Sequence, residues 1–437
     1  MNQSAYFKYL LFFVMCLAPV LFASDWQGFE HAREQIKIHR MADVAINVID
    51  AKGLPVQGAS VRVEMQNHAF PFGAAFNSLM AFTSEGPNPE HSKYLEVFKE
   101  NFNSAVLENG MKWGVMTNND GSPDIDNREK MQQGVAWLEQ HDIPLRGHNG
   151  IWPSWRNTPD YLHDLRLQPD TLRRECENRI ETIVSMFKGE LTDWDLVNEP
   201  AEHRDIINIL GEDVMIDWYH QAHQIDPQTP MYVNQWAVLN GVYHKSFLQW
   251  VRYLAASEKA SLDGIGLQGH ATVEQFTEPE QLASVWEILD DYREFGLPIK
   301  ITEFDVEGYK GEDLQARALE NALTLFFSHP SVAGFTAWGF WDGRHWRNSE
   351  KWSMTGENEQ AGFWRQDWTE KQAAKIWKRL VFDEWWTDES GITGSNAVFQ
   401  TRGFLGDYEI FVQHGDQSKT VPLTLTGSGA EMTVQLD

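Results

Sequence analysis

The sequence predicts an α/β fold, a (β/α)8 TIM barrel with a small β module formed by N- and C-terminal strands, and three observations predict it. From Phe70 onward, eight short apolar strands alternate with longer amphipathic stretches. No glycine-rich phosphate loop follows any of these strands, which favours a closed barrel over an open nucleotide-binding sheet. On both flanks of the repeat the helical period gives way to apolar–polar alternation, the signature of half-buried strands.

Residues 1–24 read as a signal peptide: Lys8 is the only charge, residues 10–22 are apolar, and Leu21-Phe22-Ala23 supplies a cleavage site. The apolar run is short for a membrane anchor and Cys16 lies deep within it, so a soluble secreted protein, extracellular or periplasmic, is expected. Residues 25–67 form an N-terminal segment in which the alternating runs 43–50 and 58–66 flank the turn Ala51-Lys52-Gly53-Leu54-Pro55, the pattern of a β hairpin. The barrel is expected over residues 68–386, with strands at 70–76, 104–109, 143–148, 193–199, 231–236, 264–270, 299–306 and 332–338. Helical stretches such as 127–140, 171–187 and 313–327 fill the gaps. Beyond Trp386, strands are expected at 396–401, 407–412, 421–425 and 432–436, so residues 387–437 form a C-terminal β extension packing with residues 43–66. No flexible linker precedes it, which favours a structural brace over a separate sugar-binding module.

The net charge of −27 excludes the electrostatics of nucleic-acid or anionic-membrane binding and points to solubility. With the signal removed, Cys176 is the one remaining cysteine, so no intrachain disulfide forms; an inert helix residue is its expected role. Most of the 19 tryptophans of any such fold belong to the core, yet indole faces also stack on the apolar faces of sugar rings.

The chemistry concentrates at strand ends. Glu199 ends the fourth strand and Glu303 the seventh, so both carboxyl groups face the mouth that the following loops build. Two such carboxyl groups are the minimum equipment for acid-assisted cleavage of a glycosidic bond. A single glutamate is usually a solvated surface residue, but each of these follows an apolar strand and neighbours another polar group, Asn198 or Asp305. The other strand ends share the bias: Glu108, Asn109 and Lys112; Arg146, His148 and Trp152; Asn234 and Trp236; Gln268 and His270; and, after the eighth, Trp338 to Trp346. The spacing of His148, His203, His270 and His345 matches no metal motif, so neither a catalytic metal nor a cofactor is expected.

At these residues the chain resembles glycoside hydrolase family 10, the retaining endo-β-1,4-xylanases, from about Asp43 to Trp386. Glu108-Asn109-Gly110-Met111-Lys112-Trp113 is similar to the family segment that holds the sugar on the non-reducing side, and Arg146-Gly147-His148 with Trp152 to its Arg-Gly-His segment. Residues 194–199 resemble the acid/base motif, 264–270 the Gly-x-Gln-x-His motif, and 301–305 the nucleophile motif. The resemblance implies Glu199 as acid/base, Glu303 as nucleophile and His270 as the group that keeps Glu303 ionised. It also implies Glu108, Asn109, Lys112, His148, Trp152, Asn198, Trp236, Gln268, Trp338 and Trp346 as substrate contacts. Pro153, Pro200 and Asn234-Gln235-Trp236 depart from the usual pattern, and the third-strand loop and the tail are closer to plant members. A monomer acting on xylan and xylo-oligosaccharides is expected. The competing readings are a glucanase or mannanase of the same superfamily and a carbohydrate-binding barrel without catalysis.

Overall fold

A computed structural model describes residues 28–349, 353, 356 and 358–437; the expected signal peptide lies outside the described residues. Eight parallel strands form the barrel: β1 Phe72–Phe76, β2 Ser104–Leu107, β3 Leu145–Ile151, β4 Trp194–Asn198, β5 Met231–Gln235, β6 Gly264–Leu267, β7 Ile299–Val306 and β8 Val332–Ala337. Each pairs with its neighbour in the chain, and β8 closes on β1. Every residue of β1 to β6 is buried, as expected of strands covered by side chains within and by helices outside.

The helices sit where their caps and apolar faces place them. Asp124 accepts from the Asn127 N–H at the start of the helix Ile125–Gln140, and Pro169 occupies the first turn of Pro169–Met186. Cys176 is buried in the latter, and burial raises the pKa of its thiol, so it carries no thiolate. The barrel interior holds a buried ion cluster beneath the mouth. Arg146 on β3 donates to Asp193 Oδ1 at 2.8 Å and to both oxygens of Asp195 at 2.8 and 3.1 Å, while Lys300 on β7 pairs with Asp193. Gly147 is required beside it, since a Cβ there would come within 2.2 Å of the Trp194 ring.

The two ends of the chain build the β module, but the expected hairpin does not form. Met41–Ile49 lies between Val398–Phe404, antiparallel, and Ala430–Gln435, parallel. Ser60–His68 belongs to a different sheet, between Asp388–Ile392 and Gly406–His414, with Gln417–Leu425 beyond. Alternation identifies a strand and its buried face but not its partner, and both edges of each N-terminal strand are taken by the tail. Asp388–Ile392 was not expected as a strand because its largely exposed residues carry no alternation. The helix Phe29–Arg40 docks this module on the barrel: Arg40 donates to the carbonyls of Phe327, His329 and Val332 at 2.7 to 2.8 Å.

Truncation after Thr387 removes every strand that flanks Met41–Ile49 and Ser60–His68, uncovering Val44, Ile46, Val48, Val61, Val63 and Met65. Burial of each such side chain is worth about 1.5–3 kcal/mol, and a domain is stable by only about 5–15 kcal/mol. The truncated chain is therefore expected to express insolubly or to melt far below the full chain; an unchanged Tm in differential scanning calorimetry would contradict this.

Candidate active site

The carboxyl ends of the barrel strands converge on two nearly buried carboxylates, Glu199 at 6% and Glu303 at 4% exposure. Glu199 follows β4 with a left-handed backbone, φ +58°, a conformation that costs a non-glycine residue on the order of 1–3 kcal/mol and persists where surrounding structure imposes it. Its own N–H donates to Asn234 O at 2.7 Å, and its carbonyl accepts from His203 N–H at 2.9 Å. These bonds turn the chain out of the sheet and aim the side chain across the mouth.

A chain of amides links the two acids. Glu199 Oε1 accepts from Gln268 Nε2 at 2.7 Å, and the same nitrogen lies 3.5 Å from Asn198 Oδ1. Asn198 Oδ1 accepts from Asn234 Nδ2 at 2.9 Å, which also donates to Glu303 Oε1 at 2.8 Å. Thr302 Oγ1 donates to Asn234 Oδ1 at 2.7 Å and so fixes which end of that amide faces Glu303.

Their remaining partners differ in kind. Glu199 Oε2 accepts from the indole N–H of Trp152 at 3.0 Å and lies 3.1 Å from His203 Nε2. His203 is itself raised in pKa: burial opposes its charge, but the hydrogen bond to Glu199 and the charges of Glu199, Glu202 and Asp205 outweigh it. Glu303 instead faces His270 Nε2 at 3.4 Å and His148 Nδ1 at 4.0 Å. Burial alone would raise its pKa, yet His148, His270 and Lys112 together hold it below the ordinary glutamate value.

His270 is anchored from behind. Its Nδ1 donates to Asp305 Oδ2 at 3.0 Å, and although burial disfavours its charge, Asp305 and Glu303 push its pKa up to about 9. Asp305 in turn accepts from Trp346 Nε1 at 2.6 Å and from Arg347 Nη1 at 2.7 Å, and the buried Arg347 also pairs with Glu359. The loop after β8 is thereby tied to the group that orients Glu303.

Around the acids lie the remaining expected residues. Glu108 accepts from Asn77 Nδ2 at 2.7 Å and Asn109 Nδ2 at 3.1 Å, while Asn109 Oδ1 accepts from Lys112 Nζ at 3.0 Å. Lys112 lies over Trp152 and Trp338, at 5.4 and 5.7 Å from the ring centroids. His148 packs edge-on against Trp338, and Trp346 tilts against His270. Trp236 is joined through its N–H to Glu202, which lies 3.7 Å from His203. The structure thus brings all thirteen expected residues into one connected cluster.

Sequence reasoning passed over several members. Glu202 and Arg347 carry no strand-end signal, Asn77 directly follows β1 but stands outside the expected set, and the sequence marks His203 only as a candidate metal ligand and Asn234 only as a strand-end residue. Among the described residues, His148–Asp195–Glu303 and Glu199–Glu202–His203 each bring three potential ligand atoms within 4.8 Å, proximities that sequence spacing does not reveal. The carboxylates of both groups are engaged by nitrogen donors: Asp195 by Arg146 and His148, Glu303 by Asn234, Glu199 by Gln268 and Trp152, and Glu202 by Trp236. The chemistry is that of charged hydrogen bonds.

The profile of Glycosyl hydrolase family 10 matches residues 60–379. The chain belongs to that family. Among family 10 relatives and other curated proteins, it is 31% identical over 396 residues to anti-sigma-I factor RsgI6 of Acetivibrio thermocellus, covering 90% of this chain and 48% of that one. It is 27% identical over 403 residues to endo-1,4-beta-xylanase 1 of Arabidopsis thaliana, covering 90% of this chain and 38% of the other. The chain therefore spans half or less of the length of these relatives. The fold is shared with xylanase 10B of Thermotoga maritima, with a TM-score of 0.63 at 22% identity over 72% of this chain and 96% of that one. It is likewise shared with xylanase 10B of Thermotoga petrophila RKU-1 in complex with xylobiose, with a TM-score of 0.62 at 21% identity over 72% of this chain and 95% of that one.

Proposed function

We propose that this family 10 member is a secreted, monomeric endo-1,4-β-xylanase that cleaves internal bonds of xylan by double displacement. The observation that carries the reading is the unequal setting of the two acids. Glu303, facing His148, His270 and Lys112, is held as the anion a nucleophile must be. Glu199 sits across the amide chain from it, where a proton donor to the leaving oxygen belongs. Glu108, Asn109 and Lys112 then bind the sugar on the non-reducing side of the cleaved bond, with Trp152 and Trp338 close to Lys112. Xylanase relatives and a xylobiose-bound structural neighbour support the choice of xylan. The apolar run within residues 10–22 supports export.

The test is hydrolysis of xylan, arabinoxylan, mixed-linkage glucan and mannan by the purified chain, with product identification. Xylo-oligosaccharides of mixed length are expected, released first as the β anomer in a proton NMR time course, because a retaining pair stands about 5–5.5 Å apart and inverts the anomeric centre twice. Initial release of the α anomer would overturn the mechanism, and cleavage of glucan or mannan instead of xylan would overturn the substrate. The competing reading is a barrel that binds polysaccharide without cutting it. Binding to xylan with no released sugar would establish that reading instead.

A further inference from the structure

The partners of Glu199 differ in what they can give it. Trp152 and Gln268 donate N–H groups that stay on their nitrogens across the working pH range, so they hold the carboxyl group without supplying a proton. His203 can do both. Its Nε2 stands 3.1 Å from Glu199 Oε2, a hydrogen-bonding distance, and imidazole is the side chain whose ordinary pKa of about 6.5 lies within that range.

The turn after β4 builds this contact. The Glu199 carbonyl accepts the N–H groups of both Glu202, at 3.3 Å, and His203, at 2.9 Å, and the His203 ring returns to the carboxyl group four residues back. Gln235, buried at the end of β5, accepts the Ala201 N–H at 2.9 Å and pins the turn to the barrel. His203 faces Glu199 and, 3.7 Å away, Glu202, with the charge of Asp205 also acting on it. The Trp152 ring from the loop after β3 meets the imidazole edge-on, 5.9 Å between centroids. Lys112, from the loop after β2, lies over that indole, while Trp236 and Tyr243, from the loop after β5, bond to Glu202. Three carboxylates thus favour the charged imidazole. Its side chain is 22% exposed against 8% for Glu199, so it exchanges protons with solvent more readily than the acid does.

We propose that His203 is a positioning residue for the acid/base: it shares one proton with Glu199 across the Nε2–Oε2 contact, so that the pair, and not a lone carboxyl group, supplies the proton for bond cleavage. The inference rests on Glu199 being the acid/base of the reading above, and it adds what sets the upper pH limit of the reaction. In the resting pair, imidazolium and carboxylate hold one proton between them. As the glycosidic C–O bond breaks and Glu303 bonds to the anomeric carbon, that proton passes from Nε2 to Glu199 and on to the leaving oxygen. A neutral imidazole then stands beside a carboxylate. In the second step water attacks the anomeric carbon, the bond to Glu303 breaks, and Glu199 takes the proton of the water, which restores the pair. Such a pair titrates as a unit, and it gives up its last proton at a higher pH than a carboxyl group alone.

The experiment compares the full chain with His203→Gln. On xylotetraose, the upper limb of the kcat/KM–pH profile is expected to move down by about one pH unit or more in the variant, since the ordinary values of imidazole and carboxyl lie about two units apart. On an aryl xyloside whose leaving group needs no proton, the upper limb is expected to coincide in the two chains. A limb unmoved on xylotetraose, or moved equally on both substrates, overturns the proposal. An NMR titration of the imidazole reads the pair without turnover: His203 is expected to titrate about one pH unit or more higher in the full chain than in Glu199→Gln. Equal midpoints overturn the shared proton whatever the substrate. Failure of the unsubstituted chain to cut linear xylan, with the midpoints still apart, overturns the functional reading alone.

Discussion

Glu303→Gln is expected to lower kcat/KM on xylan and on activated aryl xylosides alike, by on the order of 10,000-fold or more. An amide cannot attack the anomeric carbon, so no glycosyl-enzyme forms whatever the leaving group. The substitution is nearly isosteric and keeps an acceptor for the Asn234 N–H, so Tm should change little. Mass spectrometry with a slow fluorinated xyloside should label the parent chain at residue 303 and leave the variant unlabelled. Labelling of the variant would remove Glu303 from the nucleophile's role. The pH dependence follows from the same surroundings. Because the Glu303 pKa is depressed, the residue stays ionised as pH falls through the ordinary glutamate range, and the acid limb of kcat/KM should lie below 4.5. His270 has the opposite sign. Its raised pKa means that its paired charge contributes fully to stability below about 6.5 and is lost as pH rises through about 9.

Glu199→Ala is expected to separate the two chemical steps. Xylan, whose leaving group needs a proton, should lose about 1,000-fold or more in kcat/KM, a loss at the level general acid–base catalysis supplies. An aryl xyloside with a good leaving group should keep its glycosylation step and stall at the second step for want of a base. Added azide should then restore turnover and yield the β-xylosyl azide, because a small anion needs no base to attack the intermediate. Equal losses on both substrates without azide rescue would show that Glu199 is not the acid/base. The left-handed backbone at this position adds a contrast: Glu199→Gly relieves φ strain, so it should be at least as stable as Glu199→Ala while being equally deficient.

The barrel was legible because its strands are short apolar runs of the right number, and burial from both sides leaves that mark in the sequence. Glu199 was legible because it closes such a run, whereas Glu303, expected at the end of the seventh strand, lies within β7 with Phe304, Asp305 and Val306 still to follow, and was legible from its apolar run and its neighbour Asp305. Which strands pair was not legible for the β module. Met41–Ile49 and Ser60–His68 are separated by a turn-like loop, a local signal of a hairpin, while their true partners lie at the other end of the chain. His203 was missed because its approach to Glu199 depends on a turn after Pro200, not on a regular helix whose period could be counted. Arg347 was missed because its partners Asp305 and Glu359 sit on separate segments that only the closed barrel brings together.

The interleaving of the chain ends sets a timetable for folding. Arg402 bonds the carbonyls of Lys37 and Met41, contacts spanning 365 and 361 residues of sequence. A chain emerging from its amino end at about 5–20 residues per second presents Met41–Ile49 and Ser60–His68 for tens of seconds before their neighbours exist. During that interval two alternating strands have open edges and an uncovered apolar face, the arrangement most prone to pairing with another chain. The chain's yield in a host should therefore depend on holdase capacity and growth temperature more than on the stability of the finished protein.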